Sequence, residues 1–131
     1  MVRLLIRSLV VASAGLATVM ATAAPAAAAG DAAAGKAVFA SMCAMCHTAT
    51  KGGPTILGPN LYGIVGRKSA SVSGFAYSGA MKASGITWTS DKLKAYLPSP
   101  ANLVPGTKMA FAGVKNPAQL DNVVAYLETL K

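Results

Sequence analysis

The sequence predicts a single all-α domain in which a first and a last helix cross, with shorter helices and loops between them. Apolar residues recur at helical spacing near both ends of residues 30–131, and strand signals are weak throughout. The length of 131 residues fits one domain, and no internal repeat is visible. Two cysteines allow at most one disulfide, which excludes a disulfide-dense scaffold.

Residues 1–29 have the pattern of a cleaved export signal. Arg3 and Arg7 precede a stretch of apolar and small residues, and Ala27–Ala29 fits an A-x-A cleavage site. An uncleaved anchor helix is the alternative, but the helix breakers and the alanine-rich end of the segment favour cleavage. Removing the signal leaves residues 30–131 as the mature domain, with ten basic and four acidic side chains and a net charge of +6.

The first predicted helix of the mature domain spans Asp31–Met45. Its first residue is suited to cap the helix, because an aspartate side chain accepts hydrogen bonds from the free N–H groups of the first turn. Apolar positions recur at the spacing of one helical face and lead into the two cysteines. The residues of this stripe are Gly35, Val38, Phe39 and Met42.

The middle of the chain is predicted to be mostly loop, with two short helices. Glycine, proline, serine and threonine dominate it, and such composition is typical of turns. So much loop is unusual in a small domain unless it packs against a prosthetic group. In order, the segments are a loop over Thr48–Ser73, a short helix over Gly79–Ser84, a helix over Asp91–Leu97 capped by Thr89 or Ser90 and stopped by Pro98 and Pro100, and a loop over Leu103–Phe111.

The last predicted helix begins after Asn116 and runs to about Leu130. Asn116 is a favourable N-cap, Pro117 is tolerated in the first turn, and Gln119 occupies the third position of a capping box. Two terminal helices with apolar stripes in so small a domain are expected to cross. The stripe of the last helix contains Leu120, Val123, Val124, Leu127 and Leu130.

Cys43, Cys46 and His47 form the sequence Cys-x-x-Cys-His, the attachment signature of c-type haem. Two thiols on one helical turn can add to the two vinyl groups on one side of a porphyrin, and the imidazole that follows can bind the iron. A thioredoxin-like redox pair would need a strand before the motif and a helix after it, and a zinc site would need a fourth ligand. The helix before the motif and the loop after it therefore favour one covalently bound haem c.

The iron of such a haem has a second axial position, for which Met109 is the leading candidate. The chain has no second histidine. Met42 and Met45 lie on the same turn as His47 and cannot reach the opposite face, while Met81 remains an alternative. Met109 ends a Pro-Gly-Thr-Lys-Met turn 62 residues after His47. With both axial positions filled, the iron has no open site for oxygen or peroxide, which favours outer-sphere electron transfer over catalysis.

Six short motifs follow one another at a characteristic spacing along residues 30–131. They are Cys43–His47, Gly58–Leu61, Gly66–Arg67, Gly85–Trp88, Pro105–Met109 and Ala125–Leu127. In these motifs and their spacing the chain resembles the class I cytochromes c, the group of cytochrome c2 and mitochondrial cytochrome c. The resemblance implies the class I cytochrome c fold, with crossing terminal helices and with short helices and loops around one covalent haem.

The resemblance also implies a role for each matched position. Cys43 and Cys46 would form the thioethers, His47 and Met109 would be the axial ligands, and the Pro59 carbonyl would accept the remaining imidazole N–H. The other matched positions are Arg67, Tyr77 and Trp88 facing the haem propionates, Tyr96 and Thr107 lining the methionine side, and Gly35, Phe39 and Tyr126 at the helix crossing.

Two features depart from the mitochondrial pattern. Met81 replaces an asparagine near the propionates, and the ring of lysines around the exposed haem edge is thinned. Lys51, Lys108 and Lys115 remain in that ring. We therefore expect docking to depend less on charge and more on apolar contact than in the family. The matched positions without lysine are Ala37, Met42, Ile56, Ala101 and Asn102.

These features predict a monomeric periplasmic carrier that moves one electron from a quinol-oxidising complex of the cytochrome bc1 type to a terminal oxidase or a reaction centre. The positive charge would steer it towards acidic surfaces on membrane redox complexes. Export and the lack of a basic cluster argue against nucleic acid, and cleavage would remove any stable membrane insertion. The alternatives are a dedicated electron acceptor of a periplasmic dehydrogenase, such as one oxidising methanol or other alcohols, and a haem enzyme or ligand sensor with a labile Met109.

Overall fold

The computed structural model describes residues 29–131, and the predicted export signal lies outside them except for Ala29. The only β-type pairing in this range is an isolated antiparallel bridge between Lys68 and Thr87. The all-α class predicted from the sequence is therefore confirmed for the described residues. Their helices are α1 (Ala32–Met42), α2 (Gly79–Ala83), α3 (Ser90–Tyr96), α4 (Pro100–Leu103) and α5 (Pro117–Thr129).

Helix α1 starts where the sequence predicts and ends earlier. The Asp31 carboxylate accepts hydrogen bonds from the N–H groups of Ala33 and Ala34, at 2.8 and 3.1 Å, which confirms it as the N-cap. The predicted end at Met45 was wrong. After Met42 the N–H groups of two successive residues, Cys43 and Ala44, donate to one carbonyl, that of Phe39. The bond from Ala44 spans five residues instead of four, so the α-helix ends here and the Cys-x-x-Cys-His motif continues as hydrogen-bonded turns.

The terminal helices α1 and α5 cross at Gly35. A Cβ atom at this position would overlap the carbonyl oxygen of Asn122 and lie 2.9 Å from the Cβ of Tyr126, so that only glycine lets the two backbones approach this closely. One turn further on, the rings of Phe39 and Tyr126 pack with their centroids 5.5 Å apart and their planes tilted by 56°. The predicted crossing of the terminal helices is therefore confirmed.

The short helices each begin at a capping residue or a proline. Thr89 caps α3 by accepting the N–H of Lys92, which decides between the two caps that the sequence left open. Helix α4 was not predicted, because Pro100 reads as a stop for the helix before it. Proline is well tolerated at the first position of a helix, because an N–H group there has no acceptor within the helix. Pro100 occupies that position in α4.

The predicted loop over Thr48–Ser73 contains no helix and is fixed by side-chain hydrogen bonds. Asn60 is central to it. Its amide Nδ2 donates to the carbonyls of Thr50 and Gly53, both at 2.9 Å, and its Oδ1 accepts the N–H of Tyr62 at 2.8 Å. A loop held by its own polar groups can present a fixed surface without helix or sheet, and residues 57–59 of this loop line a cavity inside the domain.

The core joins α1, α3 and α5 to the loops. Val123 and Val124 in the middle of α5 are almost completely buried, together with Val114 just before that helix. The Asn116 side chain caps α5 by accepting the N–H of Gln119, as the sequence predicts, and the helix ends at Thr129. Within residues 29–131 no helix combines the length and the apolar character that a membrane crossing requires.

Candidate haem site

One large cavity, of about 500 Å³, lies between the loop after α1 and the segment before α5. Its walls are mostly apolar and come from every helix except the shortest, α4. The cavity brings together all ten site residues that the sequence predicts. They are Cys43, Cys46, His47, Pro59, Arg67, Tyr77, Trp88, Tyr96, Thr107 and Met109.

Cys43 and Cys46 lie at the end of α1, where the chain leaves the helix. Both side chains are half-buried free thiols, and the N–H of Cys46 donates to the carbonyl of Cys43 at 3.0 Å, which fixes their relative placement. Burial, together with the nearby Cys46, raises the pKa of the Cys43 thiol to about 11. The Cys43 sulfur is therefore protonated at neutral pH, and neither sulfur is part of a disulfide in this structure.

His47 is held in one orientation by the loop that follows it. Its Nδ1 lies 2.7 Å from the carbonyl oxygen of Pro59, and because a carbonyl only accepts, Nδ1 donates and the lone pair of the neutral ring is on Nε2. Burial lowers the pKa of His47, and the hydrogen bond to Pro59 offsets this only in part. Gly58 packs against the ring so closely that a Cβ there would overlap the imidazole. A neutral, oriented imidazole is the form that binds iron.

Met109 is held on the cavity wall by Tyr96 and Thr107. The Tyr96 hydroxyl donates to the Met109 sulfur at 3.4 Å, and the Met109 N–H donates to Thr107 Oγ1 at 3.2 Å. Tyr96 has one hydroxyl proton, so its contact of 3.4 Å with Thr107 Oγ1 is made with the threonine as donor. Burial raises the pKa of Tyr96, which keeps this proton in place at neutral pH. The three side chains thus form a chain of hydrogen bonds that ends on a thioether.

The polar part of the cavity wall contains Arg67, Tyr77 and Trp88. Arg67 donates to the carbonyls of Asn60 and Tyr62, at 2.9 and 3.1 Å, so two of its N–H groups hold the loop. The Tyr77 hydroxyl accepts the N–H of Val72 at 3.3 Å and keeps its own proton for another acceptor. Trp88 is buried against Tyr96, with ring centroids 4.8 Å apart.

Ser78 is a cavity residue that the sequence does not predict. It is a buried polar residue, and its Oγ accepts the N–H of Met81 as the cap of α2. A serine before a short helix is recognisable as a cap, but its place on the cavity wall depends on how α2 packs. Met81 is buried on the same wall, so the structure places this alternative sulfur at the cavity without assigning it a role.

The groups on the cavity wall fit a haem in chemistry and in placement. Two thiols and a neutral imidazole lie along one side, and a thioether that accepts a hydrogen bond is contributed by a distant segment. The walls between them are largely aromatic and aliphatic, and a few polar groups are gathered near Arg67. A porphyrin with an apolar face, two vinyl groups and two carboxylates needs this distribution.

Comparison with known proteins agrees with this chemistry. The family model described as "Cytochrome c" matches residues 32–131, which is most of the chain. The chain belongs to the cytochrome c family. As a class I cytochrome c it is a small electron carrier, and it binds one covalent haem c; its two cysteines have the spacing of the attachment motif.

Individual relatives are similar to this cytochrome over most of its length. The cytochrome c of Trypanosoma brucei brucei is 55% identical over 83 residues, covering 63% of this chain and 89% of the relative. Cytochrome c2 of Rhodopila globiformis is 47% identical over 97 residues, covering 74% and 91%. Among solved structures, cytochrome cH from Methylobacterium extorquens superposes with a TM-score of 0.70 at 46% identity, over 76% of this chain and 99% of that one.

Proposed function

We propose that this cytochrome is exported and carries single electrons in the periplasm, from a quinol-oxidising complex of the cytochrome bc1 type to a terminal oxidase or a photosynthetic reaction centre. The main support is that His47 and Met109 line one cavity and that each is fixed by a hydrogen bond, His47 as donor to the Pro59 carbonyl and Met109 as acceptor from the Tyr96 hydroxyl. Two side chains that are already held in place would move little when the iron gains or loses an electron. Electron transfer is fast when little rearrangement accompanies it.

In this proposal Cys43 and Cys46 would attach the haem, and His47 and Met109 would bind its iron. When bound, the haem supplies a site that takes up and releases one electron. His47 offers Nε2 because Pro59 holds the proton on Nδ1. If His47 and Met109 both bound the iron, no position would be left for oxygen or peroxide, and this arrangement would favour a carrier over an enzyme or a ligand sensor.

Arg67, Tyr77 and Trp88 are proposed to receive the two haem propionates. The guanidinium has N–H groups beyond the two that hold the loop, and the Tyr77 hydroxyl proton is free of the contact with Val72. Donors at this end lower the cost of burying two carboxylates, which is several kcal/mol for each unpaired charge. On the other face, Tyr96 and Thr107 would tune the reduction potential through the Met109 sulfur.

The proposed periplasmic location rests on the leader-like residues 1–29 and on where packing begins. The N–H of Asp31 donates to Asn122 Oδ1 on α5 at 2.8 Å, so the chain joins the folded domain within two residues of the proposed cleavage site. Cleavage after Ala29 would therefore leave no long free segment. Mass spectrometry of protein from the periplasmic fraction tests this, because the proposal requires a mature chain that starts at Gly30.

The decisive test of the carrier function is spectroscopic and kinetic. The ferric holoprotein should show the far-red absorption band of methionine–iron ligation, and the reduced protein should not bind carbon monoxide at neutral pH. Met109→Ala should abolish the band and lower the midpoint potential, whereas Met81→Leu should keep the band. Reduction by quinol-supplied membranes of the source organism should be fast and should slow as salt screens the +6 charge. Carbon monoxide binding to the wild-type protein would contradict the proposal.

A dedicated electron acceptor of a periplasmic dehydrogenase is the second candidate. The neutral or apolar residues at positions 37, 42, 56, 101 and 102 favour it, because they give the carrier a docking surface with few charges. The two candidates differ in the electron donor. Reduction by a purified alcohol dehydrogenase and its substrate, with no reduction by quinol-supplied membranes, would select the second candidate.

A further inference from the structure

The two residues that flank the predicted cleavage site are already part of the folded domain. In the sequence, Ala29 and Gly30 lie on either side of the bond that an export peptidase would hydrolyse. In the structure, both residues line one small cavity of about 200 Å³, whose other walls come from α3 and α5. The bond between them therefore lies against the last helix of the chain. The cavity residues from α3 and α5 are Lys94, Asp121, Val124, Ala125 and Glu128.

Gly30 contacts the backbone of α5 directly. A Cβ atom on Gly30 would overlap the carbonyl group of Asp121 and lie 2.9 Å from the backbone nitrogen of Asn122. A peptidase that hydrolyses the bond before Gly30 must enclose the chain on both sides of that bond. Because α5 occupies one side of Gly30, the docked chain leaves no room for a peptidase there.

Asp31, the second residue after the bond, is held through its N–H, its side chain and its carbonyl. The N–H donates to Asn122 Oδ1 at 2.8 Å, the carboxylate accepts the N–H groups of Ala33 and Ala34, and the carbonyl accepts the N–H of Gly35 at 2.8 Å. Backbone that is packed and hydrogen-bonded resists proteolysis until it opens. No linker separates the bond from α1, so the bond cannot become accessible while the terminal helices stay docked.

The order of export gives cleavage an early interval. Helix α5 contains the last residues of the chain, so it is the last helix to cross the membrane. The contacts of Gly30 and Asp31 with Asp121 and Asn122 cannot form before α5 arrives. Until then the bond after Ala29 is free of these contacts.

We propose that the Ala29–Gly30 bond must be hydrolysed before α5 docks on α1, so that cleavage and folding compete for each exported chain. Water is the second reactant. Its oxygen stays on Ala29 as part of a carboxylate, and the Gly30 nitrogen takes its two protons and becomes an ammonium. Chains that are cleaved first become the released carrier, and chains that dock first keep residues 1–29 as an anchor. This inference rests on the proposed export and deepens it by placing cleavage before folding.

The test uses holoprotein of the full precursor, residues 1–131, which accumulates in cells whose leader peptidase is inhibited. The precursor is purified in detergent, purified leader peptidase is added, and the rate of cleavage is followed by mass spectrometry. The control precursor carries a linker of about ten glycine and serine residues, ending in glycine, between Gly30 and Asp31. This linker variant keeps both the cleavage site and a glycine before Asp31, but the bond is no longer next to α5.

The folded wild-type precursor should be cleaved about 25-fold more slowly than the linker variant. To expose the bond, the contact of Gly30 with α5 and the hydrogen bond to Asn122 must both open, and each contact of this kind changes an opening equilibrium by about fivefold. Asn122→Ala removes one of the two and leaves the cleavage site unchanged, so this precursor should be cleaved about fivefold faster than the wild type. Gln119→Ala is the matched control, because it removes an exposed amide from the same helix, and it should be cleaved like the wild type.

Both alanine variants must keep the absorption spectrum and the thermal transition of the wild-type holoprotein, so that general unfolding does not explain faster cleavage. Equal rates for the wild type and the linker variant would overturn the proposed order and leave the cleaved leader standing. Slow cleavage of the wild type with an equal rate for Asn122→Ala would place the protection outside the contact with α5 and would also overturn the proposal. A linker variant that is not cleaved would show that residues 1–29 are no substrate for the peptidase, and both the proposed order and the proposed cleavage would fall.

Cells provide an independent readout. When the inhibitor is removed, haem-loaded precursor that has already folded should stay in the membrane fraction. Chains made after removal should appear in the periplasmic fraction and begin at Gly30. Rapid release of the stored, folded precursor would contradict the proposed order.

Discussion

Withholding the haem should prevent this chain from folding. The side chains around the haem site enclose about 500 Å³. At about 24 cal/mol for each Å³ of unfilled apolar cavity, leaving this volume empty would lower the free energy of unfolding by at most about 12 kcal/mol. The whole free energy of unfolding of a domain is about 5–15 kcal/mol, so the cost of leaving the cavity unfilled is comparable to the entire stability.

The assay uses the mature chain, residues 30–131, produced without haem attachment and compared with the holoprotein. Far-ultraviolet circular dichroism and proton NMR should show an unfolded chain at 25 °C, while the holoprotein should show helical dichroism and a cooperative thermal transition. The double variant Cys43→Ser and Cys46→Ser, produced in the same way, should behave like the haem-free wild type.

The walls of the cavity cannot close on themselves when the haem is absent. The cavity is lined from both ends of the chain, by Phe39 in α1 and by Val123 and Leu127 in α5, and the crossing at Gly35 already brings these helices to backbone contact. Further approach of the two helices is therefore blocked. A haem-free chain with native helix content and a cooperative transition would refute this, because it would mean that loop movement alone can fill the volume.

Three further predictions test single contacts. Gly58→Ala places a methyl group in the space that the His47 imidazole occupies. It should lower the free energy of unfolding of the holoprotein, measured by guanidinium titration, by about 1–3 kcal/mol. An unchanged free energy of unfolding would contradict this packing. Tyr96→Phe removes the hydrogen-bond donor to the Met109 sulfur and so leaves the sulfur richer in electrons. The midpoint potential should fall by about 40 mV, which corresponds to one hydrogen bond of about 1 kcal/mol for a one-electron couple. A raised midpoint potential would argue against that contact. Gly35→Ala should destabilise the holoprotein by about 2 kcal/mol because of overlap with α5, whereas Gly79→Ala, which has open space around it, should be neutral or stabilising by up to about 1 kcal/mol. Equal effects of these two alanines in a thermal melt would refute the crossing.

The sequence alone predicted the elements that have local signals. The caps Asp31 and Asn116 are side chains that satisfy free N–H groups of their own helices, so their positions follow from the sequence around them. The apolar stripes of α1 and α5 likewise predict which face of each helix is buried. The end of α1 and the start of α4 were missed because Cys43 and Pro100 have two local interpretations, and only the surrounding packing decides between them.

The candidate site was predictable as a set of residues but not as an arrangement. The motif around His47 and the turn before Met109 are recognisable in isolation, and both line the cavity. The family resemblance implied the Pro59 carbonyl as the partner of His47, but other contacts of the site could not be predicted from the sequence. The close packing of Gly58 on the imidazole and the exposure of Leu57 at the cavity rim depend on segments that are joined only by folding.

The two candidate iron ligands are held by groups of different rigidity, and this difference has a consequence for the reduction potential. His47 is fixed by a backbone carbonyl in a loop that Asn60 also holds, so its hydrogen bond is hard to alter by changing a side chain. Met109 is fixed by the hydroxyl of Tyr96, which one substitution can remove. The potential of this carrier should therefore be adjustable mainly from the methionine side, while the histidine side provides the constant part of the site.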